Sequence, residues 1–149
     1  ISRLGYKVPN STVSQLFSSL RDFPVLRKNL ASLKIGEAEN LPIMTDRTKL
    51  EYIKQLENLG TYSQVSGNVP LLLFALVRAL NLTFESGLSE FAPGWVGTAA
   101  MIVVGVFNNY KDADEYASQA IGMLDRLPTG GSRAKIYLIV YFFVFTWTR

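Results

Sequence analysis

Residues 105–120, GVFNNYKDADEYASQA, pass from an apolar run through two asparagines into an acidic segment with regularly spaced alanines. From this point small and apolar side chains recur at helical spacing, while polar side chains occupy the other side. The apolar set is Ala113, Tyr116, Ala117, Ala120, Ile121, Leu124 and Leu127, and the polar set is Asp114, Glu115, Ser118, Gln119 and Asp125. The stretch therefore predicts a turn between two packed helices rather than a catalytic loop.

The polar residues of this turn have structural roles in the prediction. Asn108 and Asn109 tolerate left-handed backbone conformations and suit a helix-to-helix connection. Asp112 is expected to be the N-cap of the second helix, and Glu115 stands three residues later, as a capping box requires. An acidic first turn also suits the positive end of the helix dipole.

Two helical regions precede the turn in the first half of the chain. STVSQLFSSLRDFPVLRKNLASL, residues 11–33, is one, and Pro24 is expected to kink or split it near Asp22 and Phe23. The other begins at Thr45 or Asp46 and runs through RTKLEYIKQLENLGTYSQ, with Gly60 as an earlier alternative end.

Three more helices complete the pattern. One is capped by Asn68, holds Pro70 in its first turn and stops at Gly87. The next begins at Pro93 and leads into the asparagine turn. The helix after that turn ends at residues 128–131, and Ser132 is expected to cap a final helix from Arg133 to about Thr148.

These signals predict an all-α chain. Because the helices are 12 to 20 residues long and their connections are short, neighbours should form antiparallel αα-hairpins. We expect about six helices stacked as a short tetratricopeptide-like solenoid that forms one repeat region over residues 1–149. Residues 1–40 are lead-in helices and residues 41–149 the core. The start at Ile1 and the end inside an apolar run indicate a fragment of a larger multidomain protein.

Composition narrows the possible chemistry. The chain has no cysteine and no histidine, which excludes disulfides, thiolate nucleophiles, Cys/His metal sites and Ser-His or Cys-His triads. The net charge is +3, and the basic residues are scattered, so no nucleic-acid partner is expected. We predict that this segment is not an enzyme and binds no cofactor.

Three further features look like sites but favour structural roles. PTGGS at residues 128–132 lacks the lysine of a phosphate-binding loop, so it is read as a linker. The carboxylates at positions 112, 114 and 115 point different ways on a helix, and no metal site is predicted there. Arg78 stands in an otherwise apolar helix and is expected to pair with Glu85, to reach the surface or to contact a neighbouring domain.

Four residues are candidates for interaction or inter-helix contacts: Arg78, Tyr110, Tyr116 and Trp147. The run YLIVYFFVFTW, residues 137–147, is predicted to be core or an interface surface rather than a ligand box.

A membrane-embedded helical bundle, from a transporter or a receptor, is the alternative function. Phe91 to Tyr110 contains no charged residue and approaches the length of a membrane span. Its proline, glycines and asparagines shorten the strongly apolar part to about Trp95 to Phe107, and Arg78 interrupts the apolar run from Val69 to Phe84. The preferred prediction is therefore a cytoplasmic region without a membrane partner.

Three stretches of the chain resemble, in order and spacing, a known helical region. They are ENLPIMTDRTKLEYIKQLENL (39–59), NLTFESGLSEFAPGWVGTAAMIVVGVFNNYKDADEYASQAIGMLDRL (81–127) and AKIYLIVYFFVFTWTR (134–149). The similar region follows the AAA+-type ATPase domain in large hybrid protein kinase and histidine kinase signalling proteins. The matching positions are Leu41, Pro42, Met44, Thr45, Asp46, Gly87, Ser89, Phe91, Tyr110 and Trp147.

The resemblance implies a scaffold or relay between domains and transfers no catalytic residue. Expected partners are neighbouring ATPase, kinase or GAF modules of the same chain, or other proteins. Asn108 and Asn109 replace the glycine-aspartate pair usual in that family, and Thr146 replaces a histidine. The spacing of Ala113 and Ala120 is also similar to tetratricopeptide repeats, although the first helix lacks their signature.

Overall fold

The computed structural model describes residues 2–32, 40–127 and 132–149. A 3-10 turn at Ser2–Leu4 precedes five helices: α1 (Thr12–Ser32), α2 (Arg47–Ser66), α3 (Val69–Ser86), α4 (Ala92–Phe107) and α5 (Tyr110–Leu124). The last helical run begins as α6 (Ser132–Tyr137), continues as a π-helix (Leu138–Phe145) and ends as α7 (Thr146–Thr148). We call this run, Ser132–Thr148, the C-terminal helix. The all-α prediction is confirmed, and tetratricopeptide-like stacking stays a prediction.

The helices form two compact units, with α1 to α3 in the first and α4 to the C-terminal helix in the second. In the first unit α3 packs against both α1 and α2. Its core side chains are fully buried and come mainly from α2 and α3: Ile53, Leu56, Phe74, Ala75 and Leu80. Each unit therefore has a hydrophobic core of its own, because the second also buries a set of large side chains, among them Trp95, Met123, Leu124 and Val140.

Helix α2 begins and ends on local signals. The side chain of Asp46 is its N-cap and accepts hydrogen bonds from the backbone N–H groups of Thr48 and Lys49 at 2.9 and 3.1 Å. Gly67, with φ of 69°, is its left-handed C-cap. The start at Asp46 is as predicted, but the helix continues through the buried Gly60 because that glycine lies on the packed face.

Helix α3 has the predicted bounds. Asn68 caps it through a 3.2 Å hydrogen bond from the backbone N–H of Leu71, and Gly87 follows its last residue. Beyond Gly87 the chain pairs with the segment before α2. The N–H of Leu88 donates to the carbonyl of Pro42 at 2.7 Å, and the N–H of Met44 donates to the carbonyl of Leu88 at 2.8 Å.

Helix α1 differs from its prediction at Pro24. The helix is continuous from Thr12 to Ser32 with the proline inside it, so of the two predicted outcomes, a kink or a split, the split is wrong. A proline removes one backbone donor. The helix nevertheless stays joined to α3 beside this position, because the side-chain amide of Asn81 donates to the carbonyl of Asp22 at 3.3 Å.

In the second unit α4 and α5 form the predicted helix pair around the asparagine turn. Asn108 has φ of 51° and ψ of 28° and ends α4 in the left-handed conformation. Asn109 then caps α5, since its side chain accepts from the N–H of Asp112 at 3.2 Å and donates to the Asp112 carboxylate at 2.7 Å. The predicted cap at Asp112 is therefore wrong, because α5 begins at Tyr110, directly after the Asn109 cap, and places Asp112 inside its first turn.

The buried face of α5 is wider than its apolar pattern predicts. Ala113, Ala117, Ala120 and Leu124 are buried as expected, but Gln119 is also buried. Helix α5 packs against both α4 and the π-helical segment, so two neighbours cover it instead of one. Helix α5 ends at Leu124, so the predicted end at residues 128–131 is wrong. Residues 128–131 themselves, the PTGG of the predicted linker, lie outside the described part of the chain.

One helix among the described residues, Val69–Ser86, is long enough and apolar enough to cross a membrane. Its mean hydropathy is 1.4, and 56% of it is buried inside the chain's own fold, which is usual for the core helix of a soluble protein. Helix α4, the span considered from the sequence, has 16 residues and is shorter than the roughly 20 that a bilayer requires.

Candidate functional site

Two carboxylates of α5, Asp112 and Asp114, are engaged in structural contacts. Asp112 bonds to the cap residue Asn109, and Asp114 accepts hydrogen bonds from the side chains of Thr148 and Arg149 at 2.9 and 2.8 Å. Across residues 2–32, 40–127 and 132–149 there is no group of three or more acidic side chains that would hold a metal ion. The acidic segment thus stabilises the start of α5 and binds the side chains of Thr148 and Arg149.

The Arg149–Asp114 pair has a clear electrostatic signature. Hydrogen bonding from Arg149 has the largest effect and holds the pKa of the Asp114 carboxyl below its ordinary value. Burial opposes this shift, and a weaker hydrogen bond from Thr148 supports it. The same contact raises the pKa of Arg149. Both groups therefore stay charged through the neutral range, and the ion pair persists there.

Arg78, the first sequence candidate, pairs with a different residue from the one expected. Its Nε lies 3.7 Å from Oδ2 of Asp22 on α1, so the predicted pairing with Glu85 is wrong. Asp22 also accepts from Arg21 at 2.8 and 3.2 Å. The sequence spacing on α3 favoured Glu85, whereas the packing of α1 against α3 brings Asp22 nearer.

The three aromatic candidates belong to the second unit, and Arg78 to the first. Tyr110 is the first residue of α5 and is exposed, while Tyr116 is half-buried on the same helix. Trp147 lies in the last turn of the C-terminal helix with 69% of its surface exposed. Of these three, only Trp147 lies within the exposed aromatic surface that the second unit presents.

That surface runs along the outer side of the C-terminal helix, and we call it the aromatic face. It consists of Tyr137, Leu138, Tyr141, Phe142 and Trp147, all of which are exposed. The opposite side of the same helix is buried through Ile136, Ile139, Val140 and Val144. The run 137–147 was predicted to be core or interface, and the structure divides it between the two.

Ring contacts organise the aromatic face at intervals of four residues. The rings of Tyr137 and Tyr141 lie 6.0 Å apart, and those of Tyr141 and Phe145 meet edge to face at 5.2 Å. The guanidinium of Arg149 then lies 3.7 Å from the centre of the Phe145 ring while it pairs with Asp114. This row of contacts ends in the ion pair and connects the exposed rings of Tyr137 and Tyr141 to α5.

A second exposed apolar surface lies on α1 in the first unit. Val13, Phe17 and Leu20 occupy positions i, i+4 and i+7 and are 77%, 70% and 70% exposed. The polar residues Gln15 and Ser19 are buried on the opposite side, toward the rest of the unit. The helix thus packs with its polar side inward and its apolar side outward.

An open groove runs beside this apolar row. Its lining contains three cationic side chains, Lys7, Arg21 and Arg78, together with Val13 and Phe17. Sequence analysis did not single out Lys7, Arg21 or the apolar row. The heptad-like spacing of Val13, Phe17 and Leu20 was a detectable signal, but periodicity alone does not show which side of a helix packs inward.

No protein-family model matches the chain, and no curated protein or solved structure matches it either.

Proposed function

We propose that this chain is a non-catalytic helical scaffold region of a multidomain signalling protein, and that the aromatic face docks another protein domain. The observation that carries the proposal is the aromatic face, in which five large side chains lie exposed on one helix whose other side is core. Contiguous exposed apolar patches of this kind mark interaction surfaces. Tyrosine, tryptophan and phenylalanine are also the residues enriched in the buried centres of interfaces.

The aromatic side chains suit a surface that alternates between water and a partner. Tyr137, Tyr141 and Trp147 each carry one polar atom that water satisfies when the surface is free and that a partner satisfies when it is bound. Because the ring contacts and the Arg149–Asp114 pair hold Tyr137 and Tyr141 in place, these two side chains lose little freedom on docking. The occupant is a neighbouring ATPase, kinase or GAF domain of the same chain, in the cytoplasm.

Site-specific photo-crosslinking tests the docking. A benzophenone amino acid replaces Phe142, and in a matched control it replaces Tyr62, which is equally exposed on α2 of the other unit. In cells, position 142 should give crosslinks to one defined protein segment, and position 62 should not. Equal labelling from the two positions would overturn the proposal, and crosslinks to lipid alone would replace it with membrane binding.

The finer proposal is a relay. Small rotations between packed helices would carry the nucleotide state of an upstream ATPase to a downstream output domain. Hydrogen exchange of α4, α5 and the C-terminal helix should then differ between the ATP-bound and ADP-bound forms of the parent protein. Exchange that is identical in both nucleotide states would remove the relay and leave a passive scaffold.

A membrane-embedded bundle is the second candidate, and the length of Val69–Ser86 is the observation that favours it. Arg78 lies in the middle of that helix, where a charge is costly in lipid unless it is paired within the protein. Expression of the 149-residue chain without detergent separates the two candidates. A monodisperse soluble protein contradicts the membrane function, whereas recovery only in detergent micelles contradicts the scaffold.

A further inference from the structure

The groove on α1 has no role in the function proposed above, which rests on the C-terminal helix. The apolar row beside the groove, Val13, Phe17 and Leu20, contributes little to the core of the first unit because α1 packs through the opposite side. There the hydroxyl of Ser19 donates to the carbonyl of Gln15 at 2.8 Å, and Leu26 is buried. An apolar row at i, i+4 and i+7 is the pattern by which one helix packs against another.

The walls of the groove are held in place by contacts within the first unit. Beside α1, the N-terminal segment is fixed by a stack of Tyr6 on Tyr52, with ring centres 3.6 Å apart and planes within 3°. The side-chain amide of Gln15 donates to the carbonyl of Pro9 at 3.1 Å. Lys7 and Pro9 thus form one wall, α1 forms the other, and Arg78 reaches in from α3.

The charge of the groove selects the partner. Its lining contains three cations and no carboxylate among the described residues. The nearest carboxylate, Asp22, is already bonded to Arg21 and pairs only loosely with Arg78. At 3.7 Å the Nε of Arg78 is beyond hydrogen-bond distance from Asp22, and this buried atom has no hydrogen-bond partner in the part of the chain that the structure describes.

A guanidinium is best satisfied by a carboxylate that accepts two of its N–H groups at once. The Arg78 side chain keeps 42% of its surface exposed, so its outer N–H groups are open to such an acceptor from the groove. A partner that combines apolar residues with flanking carboxylates would therefore meet both the row on α1 and the cations beside it.

We propose that the α1 groove binds an amphipathic helix with Asp or Glu residues along the edges of its apolar face. Apolar side chains of the incoming helix pack on Val13, Phe17 and Leu20, and its carboxylates reach Lys7, Arg21 and Arg78. The cations of the lining favour a partner with carboxylates beside an apolar strip, which an acidic amphipathic helix provides.

Fluorescence anisotropy with the 149-residue chain tests this site. The probe is a labelled 18-residue synthetic helix with leucines at i, i+3, i+4 and i+7 and glutamates on both flanks, and a second peptide has lysine at every glutamate. The acidic peptide should bind, and its dissociation constant should rise with salt concentration because ion pairs contribute. The lysine peptide should bind at least roughly tenfold more weakly.

Two variants and two controls connect the binding to the groove. Phe17→Ser and Arg21→Gln should each weaken the binding of the acidic peptide by roughly tenfold or more, because both side chains lie on the binding surface. Tyr62→Ser and Arg47→Gln make the same types of change at exposed positions on α2 and should leave binding unchanged. Circular dichroism of all four proteins should match that of the parent.

Each of the following results would overturn the proposal. Equal binding of both peptides would mean that charge does not select the partner, and equal effects of the α1 and α2 variants would place the site elsewhere. Absence of peptide binding, together with binding to anionic vesicles that Phe17→Ser abolishes, would assign the surface to lipid. The crosslinking at position 142 is independent of this result, since it concerns the second unit.

Discussion

At the scale of single residues, Gly87 connects helix α3 to the segment that pairs with residues 42–44. Its φ of 107° and ψ of 177° lie in a region that essentially only glycine adopts. A Cβ at this position would also collide with the carbonyl oxygen of Pro42, the atom that accepts a hydrogen bond from Leu88. The backbone conformation and the close approach therefore both require a glycine.

Gly87→Ala should lower the free energy of unfolding of the first unit by about 3 kcal/mol or more, because strain and collision add. Gly67→Ala is the matched control, since Gly67 also has a positive φ of 69° but nothing lies within 4 Å of an added Cβ. It should cost only about 1–2 kcal/mol. Hydrogen exchange of α2 and α3 measures both losses, and equal losses would show that the contact with Pro42 is unimportant.

Asp114 gives a prediction about pH. Because its pKa is lowered in the folded protein, its ion pair stabilises the fold above the ordinary carboxyl pKa of about 3.9. That contribution disappears as the pH falls through the lower pKa of the folded state. Carboxyl NMR titration should show the pKa of Asp114 rising toward its ordinary value in Arg149→Gln and staying low in the control variant Arg47→Gln, which changes a residue of the first unit.

At the scale of elements, the contact of α4 with α5 depends on small side chains. A Cβ added to Gly97 would lie 3.9 Å from Cβ of Ala120 and 3.5 to 3.6 Å from Ile139 and Val140 of the C-terminal helix. Three helices therefore converge where the residues are smallest. The regular spacing of Ala113, Ala117 and Ala120 in the sequence corresponds to this close approach.

Ala120→Leu should destabilise the second unit by about 1–3 kcal/mol, because the packed site has no room for three more carbons. Ala134→Leu makes the same change at an exposed position of the C-terminal helix and should stay within about 0.5 kcal/mol. Hydrogen exchange of α4 and α5 reports the difference. An unchanged Ala120→Leu protein would mean that the two helices separate easily.

Local signals in the sequence were sufficient for the elements that local chemistry determines. Asp46, Asn68, Gly87 and the left-handed Asn108 all lie where the caps and stops were predicted, because each acts through its own backbone or its nearest neighbours. The π conformation of Leu138–Phe145 has no such local signal. The position of the α5 cap differed by three residues because the sequence does not show how closely two helices follow each other.

Packing partners were the features that the sequence left undetermined. Arg78 has Glu85 on its own helix, but Asp22 comes close only when α1 lies against α3. The outward apolar row of α1 is undetermined for the same reason, since periodicity shows two sides of a helix and tertiary contacts decide between them. The run 137–147 was predicted to be core or interface. Which of its residues are buried is decided by the side of the C-terminal helix that packs against α4 and α5.

At the scale of the whole molecule, each unit depends on its own buried side chains. Leu56→Ala should lower the stability of the first unit by about 2–5 kcal/mol, because the residue is fully buried and leaves a cavity. Leu138→Ala removes the same atoms from the exposed aromatic face and should change the second unit by no more than about 0.5 kcal/mol. Hydrogen exchange resolves each unit separately. A large loss in Leu138→Ala would identify the aromatic face as core.

The outward orientation of α1 bears on how this protein can diverge. Residues that both stabilise a fold and contact a partner are constrained twice, and most changes at such positions are removed by selection. Val13, Phe17 and Leu20 lie mostly in water, so exchanging them costs the first unit little. Descendants of this sequence can therefore acquire new partner preferences along α1 while Gln15, Ser19 and Leu26 preserve the docking of the helix.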